Sequence, residues 1–234
     1  YYYYTRTEKG KQYKTYCRKK GSLNAPEEVT FDVNKMAEGK PAFMFVGNTI
    51  SPDNTKAAYF YNETGSFADY VLKIKDLTTG KDLDFSVKGA SSFAWANDNK
   101  TIFLSLIDPI TLRSFRVYRQ VLGIPESELV YEEKDPKFST GVSGTKTREW
   151  IMIASGSSTT SEDRLLSADN PSEAFAVFMP RVQDVEYDVY PHKDFFFIRY
   201  KDKENLNGKI YQVAKSDYAN RAAWKEMVAH NKDV

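Results

Sequence analysis

Short apolar runs recur along this chain, each closed by a polar turn, and most alternate apolar with polar positions. DYVLKIKDL (69–77), RSFRVYRQVL (113–122), EDRLLSAD (162–169) and GKIYQVAKS (208–216) occupy matching places, and three of the four alternate with period two. That period is the mark of a half-buried β-strand. Ahead of each lies a more apolar strand, at Ala57–Phe60, Thr101–Leu106, Trp150–Ala154 and Phe195–Tyr200, and ahead of that a polar turn. Aligning the turns on Asp53, Asp98, Lys146 and Lys193 gives intervals of 45, 48 and 47 residues.

A third strand closes each unit (DLDFSV, SELVYEE, AFAVFMP, AWKEMV) and another opens it (PAFMFVGNTI, ASSFAWA, FSTGVS, VEYDVYP). Four short strands at this interval are the signature of a β-propeller blade. The opening residues supply a unit that lacks only its first strand: YYYYTRT, KQYKTYCRK and EEVTFDV, with hairpin turns at Glu8-Lys9-Gly10 and Lys20-Gly21-Ser22. The pattern therefore predicts an all-β chain, a partial propeller of about five blades over 1–234, with borders near 40, 89, 137 and 184. A β-sandwich also spaces short strands evenly, but it needs no repeated turn at a fixed interval. A helical turn is expected only in the tail, YANRAAWKEMVAH.

Composition agrees with a strand-rich chain. Of 234 residues, 16 are Tyr and 15 are Phe, types that favour strands. The net charge of +1 argues against a nucleic-acid or anionic-membrane surface, which needs a basic excess. Tyr1–Tyr4 read as blade packing rather than a base-stacking platform. The lone Cys17 cannot form an internal disulfide, and no run is long enough to span a membrane as a helix. The chain begins in a strand pattern without an initiator Met, so it is expected to be part of a longer one.

Several stretches go beyond a generic propeller. YYYYTRTEKGKQYKTYCRKKGS, FAWANDNKTIFL, LVYEEKDPKFSTGVS and TTSEDRLLSAD resemble the N-terminal propeller of the prolyl oligopeptidase family of serine peptidases, in its oligopeptidase B (protease II) subgroup. The resemblance runs from Tyr1 to about Val228, and YEEKD (131–135) and TTSE…RLL (159–166) are its most specific parts. It implies a seven-bladed propeller over an α/β-hydrolase domain that carries a Ser-Asp-His triad. It also implies cleavage of short peptides after Arg or Lys, with the propeller restricting access. A cytoplasmic location is expected, with a periplasmic one as the alternative. Asp163 departs from the pattern, standing where an aliphatic residue is expected, and reads as a surface change.

The residues themselves supply no chemistry of that kind. A nucleophile elbow needs G-x-S-x-G between a strand and a helix. The nearest match, GVSGT at Gly141–Thr145 around Ser143, ends in Thr and lies between strands. His192 and His230 read as solvated loop residues rather than general bases. Two histidines and one cysteine make no zinc set. Glu132, Glu133 and Asp135 lack calcium-loop spacing and read as a charged turn. SGSSTTSE (155–162) lacks the Lys and second Gly of a phosphate loop, and RYKDKENLNGK (199–209) reads as a solvated hairpin. No catalytic, cofactor-binding or metal residue is therefore nominated, and no cofactor is implied.

The expected partners are a hydrolase domain in the same parent chain and short basic peptides as its substrates. Self-association is a further expectation, through terminal units 1–33 and 185–228 that would each leave an apolar face bare. The alternatives are an independent scaffold propeller that binds peptides or proteins and, more weakly, a glycan-hydrolysing propeller with paired carboxylates. Trp95 and Trp150 are expected to lie buried between blades.

Overall fold

The structure, a computed structural model, describes residues 1–66 and 68–233. The chain divides into two compact units, Tyr1–Ala90 and Ser91–Val234. In the first, β1 (Tyr2–Arg6), β2 (Thr15–Lys19) and β3 (Glu28–Asp32) form a three-stranded sheet. β4 (Met44–Ile50), β5 (Lys56–Asn62), β6 (Val71–Asp76) and β7 (Asp82–Lys88) form a four-stranded one. The second unit holds three four-stranded sheets. They are β8 (Ala90–Trp95), β9 (Thr101–Ile107), β10 (Ser114–Val121) and β11 (Ser127–Glu132); β12 (Ser139–Gly144), β13 (Trp150–Gly156), β14 (Ser161–Ser167) and β15 (Ala176–Val177); and β16 (Glu186–His192), β17 (Phe195–Lys201), β18 (Lys209–Ala214) and β19 (Lys225–Val228). Every sheet is an antiparallel meander in which each strand lies beside the next in sequence, as in a propeller blade. The chain is a β-propeller.

The repeat seen in the sequence is a repeat of backbone geometry. The hairpin between the first and second strand of the four-stranded sheets carries one non-glycine residue in the left-handed region: Asn54, Asn99, Arg148 and Lys193, with φ of 63°, 61°, 61° and 49°. In the first three, that residue's N–H bonds the carbonyl three back, and the first turn residue bonds the strand beyond. The pairs are Asn54 to Ser51 and Ser51 to Lys56, Asn99 to Ala96 and Ala96 to Thr101, and Arg148 to Thr145 and Thr145 to Trp150. Asp53 and Asp98 then fold back on their own turns. Asp53 accepts from Ser51 Oγ and from Thr55 N and Oγ1, and Asp98 from Lys100 N and from Thr101 N and Oγ1. Partial burial works against both carboxylates, but these bonds hold them below the usual carboxylate range. The geometry also corrects an alignment. Arg148 and Lys193 correspond to Asn99, so Thr147 and His192, not Lys146 and Lys193, stand at the place of Asp98. The turn's backbone is what repeats, and no charged side chain is required by it.

A second correction concerns helix. One turn, α1 (Val33–Ala37), follows β3, capped by Asp32, whose carboxylate accepts from Lys35 N at 3.2 Å. No apolar periodicity can announce a helix of five residues. In the tail, a 3-10 turn at Arg221–Ala223 leads into β19.

Alternation on the middle sheet of the second unit decides its packing. Ile151, Ile153 and Leu166 enter one apolar cluster with Ala94, Phe103, Val117 and Val142, from β8–β12. Leu165, the residue beside Leu166, enters another with Tyr187, Val189, Phe196, Ile198 and Val213, from β16–β18. Successive side chains point to opposite faces of a strand, so this sheet is buried on both sides. Each fully buried aliphatic or aromatic side chain there stabilises by about 1.5–3 kcal/mol. The first unit has an aromatic core: Phe31 lies 4.9 Å from the Tyr59 ring and 5.2 Å from that of Phe45.

Trp95 is buried, with its ring edge-on to Phe93 at 5.2 Å. Trp150 is half-buried, 5.7 Å from Phe196. Trp224, an apolar residue of the tail in which a helical turn is expected, is buried between the 3-10 turn and β19 and donates from Nε1 to the Tyr218 carbonyl.

Two stability tests follow from this packing. Trp95→Ala is expected to lower unfolding free energy by about 3–5 kcal/mol, the range for deleting a buried aromatic side chain; an unchanged denaturation midpoint would contradict its place in the core. Arg148→Gly is expected to raise stability by roughly 1 kcal/mol, because a left-handed backbone costs a side-chain-bearing residue about that much and glycine nothing. Urea unfolding curves of the two variants measure both.

Candidate functional site

The residues that the sequence put forward for chemistry lie apart. Ser143 is exposed in the body of β12, paired with Met152 of β13, and its strand runs on through a hairpin rather than into a helix. His192 ends β16 opposite Phe195, while His230 lies beyond β19. Among the described residues, no group of three His, Cys, Asp or Glu side chains is placed to hold a metal ion. The three carboxylates of the YEEKD stretch point to different partners: Glu132 to Arg116 at 2.7 Å, Glu133 to Arg181 at 2.5 Å, and Asp135 to Lys137 N at 2.9 Å.

Glu133 is not part of a solvated turn. It is buried, and it is the hub of a polar cluster joining the sheets β8–β11 and β12–β15. Its carboxylate accepts from Arg181 Nη2, from Tyr131 Oη at 2.8 Å and from Asp135 N at 3.0 Å. Burial raises its affinity for a proton, but those donors, Arg181 foremost, hold it below the usual glutamate range. The Arg181 guanidinium lies 3.6 Å above the Phe138 ring, and Arg181 N donates to Glu162 Oε2 at 3.0 Å. Glu162 also binds Arg164, whose guanidinium stacks on Tyr131 at 4.4 Å. Ser155 Oγ joins Tyr131 Oη at 3.1 Å and Thr140 Oγ1 at 3.0 Å. Arg113 ties down the loop after β11 by donating to the carbonyls of Glu133, Asp135 and Phe138. Each carboxylate of the cluster is paired with a guanidinium and cross-bonded, so the cluster fastens the two sheets. The sequence signal was present in YEEKD and TTSE…RLL, which contribute Tyr131, Glu133, Glu162 and Arg164.

Asp163 is also a correction. It is 4% exposed, on the face of β14 that carries Leu165 toward the sheet β16–β19. The alternation of the strand makes this a core position, which is why an aliphatic residue is the expected occupant. Asp163 N donates to Tyr187 Oη at 2.8 Å, Tyr187 Oη donates to the Met179 carbonyl at 2.7 Å, and Val189 N–H donates to the Asp163 carboxyl. Burial, with help from the nearby Asp188 and Glu162 charges, pushes the Asp163 carboxyl up to about 7, against the pull of the Val189 N–H.

Residues 1–234 match, over their whole length, the family described as prolyl oligopeptidase, N-terminal beta-propeller domain. The chain belongs to that family. It is a propeller domain of prolyl oligopeptidase-family serine peptidases, with oligopeptidase B among its structural neighbours. It is 34% identical over 252 residues to dipeptidyl aminopeptidase BI of Pseudoxanthomonas mexicana, covering 100% of this chain and 34% of that protein. It is 29% identical over 231 residues to protease 2 of Moraxella lacunata, covering 94% and 33%. Oligopeptidase B from Leishmania major superposes with a TM-score of 0.86 at 28% identity, over 98% of this chain and 33% of that one. Oligopeptidase B from Trypanosoma brucei, in a closed form with covalently bound antipain, gives 0.84 at 26% identity over 98% and 33%. The chain thus spans about a third of the length of these relatives.

Asp163 makes this propeller's stability depend on pH. Its folded pKa lies above the unfolded value of about 3.9, so folding takes up a proton between the two. Stability is then highest below about pH 4 as far as this group is concerned, and it falls as pH rises toward 7. Asp163→Asn keeps an acceptor for Val189 and cannot ionise. It is expected to be more stable than the parent chain at pH 8 by on the order of 2–4 kcal/mol, with the gap closing toward pH 4. Urea midpoints at several pH values measure this, and an equal gap at pH 4 and pH 8 would refute it.

Proposed function

We propose that this propeller belongs to a serine endopeptidase of the oligopeptidase B type that cleaves short peptides after Arg or Lys. A Ser-Asp-His triad on an α/β-hydrolase domain of the parent chain performs the chemistry. Residues 1–234 form one propeller domain that limits access by size and contribute no catalytic side chain. The observation that carries this reading is the match to oligopeptidase B structures, at a TM-score of 0.86 over 98% of the chain. The YEEKD and TTSE stretches support it, because the side chains they supply form the inter-sheet cluster.

The division of labour has a physical basis. Acyl transfer needs a serine held on a strained turn with an adjacent base and oxyanion donors. Antiparallel meanders offer extended strands and hairpins, where a serine such as Ser143 has no such geometry. What packed sheets supply well is a stiff wall. A peptide must be short or unfolded to pass it, whereas a folded protein cannot deform it without disrupting close-packed cores.

The relative at 34% identity supports a second reading, a dipeptidyl aminopeptidase, in which a free substrate N-terminus is recognised. Paired substrates separate the two in the full-length parent: N-blocked Arg and Lys amides against dipeptide amides with a free N-terminus. Faster turnover of the blocked substrates is expected, and preference for the free dipeptides would favour the second reading. Residues 1–234 alone are expected to hydrolyse neither, and turnover above a buffer blank by that chain would overturn the assignment of chemistry to another domain.

A further inference from the structure

A cavity of about 340 Å3 in the first unit takes no part in the reading above. It opens between α1 and the sheet β4–β7. Phe43 and Tyr61 line it with rings stacked at 6.0 Å and 25°, and Tyr59 stacks on Tyr61 at 5.9 Å and 28°. Three lysines surround this aromatic shelf. Lys40 Nζ lies 4.6 Å above the Phe43 ring and is paired with Glu63 at 2.6 Å. Lys73 Nζ lies 5.9 Å from the Tyr61 ring and 3.7 Å from Asp82 Oδ2. Lys75, two residues further along β6 and so on the same face, donates to the Thr30 carbonyl and lies 4.7 Å above Phe31.

The charges do not balance on the β6 side. Asp82 is the carboxylate that faces both Lys73 and Lys75, and its Oδ2 also accepts the Tyr59 hydroxyl at 2.9 Å. Two ammonium groups therefore share one carboxylate that is already hydrogen-bonded. Burial pushes the Lys75 ammonium's pKa down, with Asp82 pulling against it. A second anion placed here would restore what Lys75 loses on leaving water. The wall beside it is flat and aromatic, and the volume lies within the range of small-molecule sites.

We propose that this cavity binds a small carboxylate carrying an aromatic ring, with the carboxylate against Lys73 and Lys75 and the ring against the Phe43–Tyr61 shelf. The charge interaction orients the ligand and the shelf selects it over a bare anion. Because the cavity is open to solvent, the contact is salt-sensitive.

Benzoate, inorganic phosphate and benzyl alcohol are the probes, titrated into the 234-residue chain and followed by calorimetry and amide NMR shifts. Benzoate is expected to saturate in the millimolar range and to shift amides of β5 and β6, phosphate to bind more weakly, and benzyl alcohol not to saturate. Lys75→Met and Lys73→Met should each weaken benzoate about tenfold or more, the scale of a lost hydrogen bond to a charged group. Lys203→Met, on the second unit, should leave it unchanged. If Lys75→Met lowers the melting temperature, Lys73→Met carries the test, since that side chain is a third exposed and less needed for packing. Absence of saturation by benzoate, equal affinity for phosphate, or full affinity in Lys73→Met would overturn the proposal.

Discussion

The middle sheet of the second unit is an antiparallel meander that carries apolar side chains on both faces, and burying both is the constraint on which the packing of that unit depends. On β14, Leu165 and Leu166 are adjacent in sequence and opposite in direction, so one strand feeds two separate cores. The middle sheet of the second unit is therefore committed on both sides. A polar side chain on it has only two options, to find partners across the gap between sheets or to give up its charge.

Both options are present within two residues. Glu162 binds Arg164 and the Arg181 backbone, so it belongs to the fastening between sheets. Asp163 points the other way, into an apolar layer where the Val189 N–H meets its carboxyl while the Tyr187 hydroxyl accepts from its backbone N–H. The two residues differ by one methylene and by the direction of the strand's pleat. Their opposite fates come from that direction.

This also explains what was legible in the sequence. Strands and turns were, because period-two alternation and a recurring turn are local signals. Even there, aligning on charged residues misplaced the third and fourth turns at Lys146 and Lys193, since what repeats is the left-handed backbone, at Arg148 and at Lys193 itself. The single turn of α1 was invisible because Asp32 makes it by capping, not by apolar spacing. Glu133 and Asp163 were misread because their environment is built by residues from other sheets: Arg181 for the first, Tyr187 and Val189 for the second. The family resemblance pointed to the right segments without saying what their side chains do.

Backbone ladders run within each meander, whereas the seams of the second unit are made mostly of side chains, with a few bonds such as Val142 N to Ser92 Oγ and Ser161 N to the Val185 carbonyl. Stiffness is thus unevenly distributed. Amide exchange inside a meander requires breaking a ladder, while separation along a seam breaks few backbone bonds. The sheets behave as stiff plates on soft joints, and the joint beside Asp163 is one whose cohesion changes with the proton activity of its surroundings.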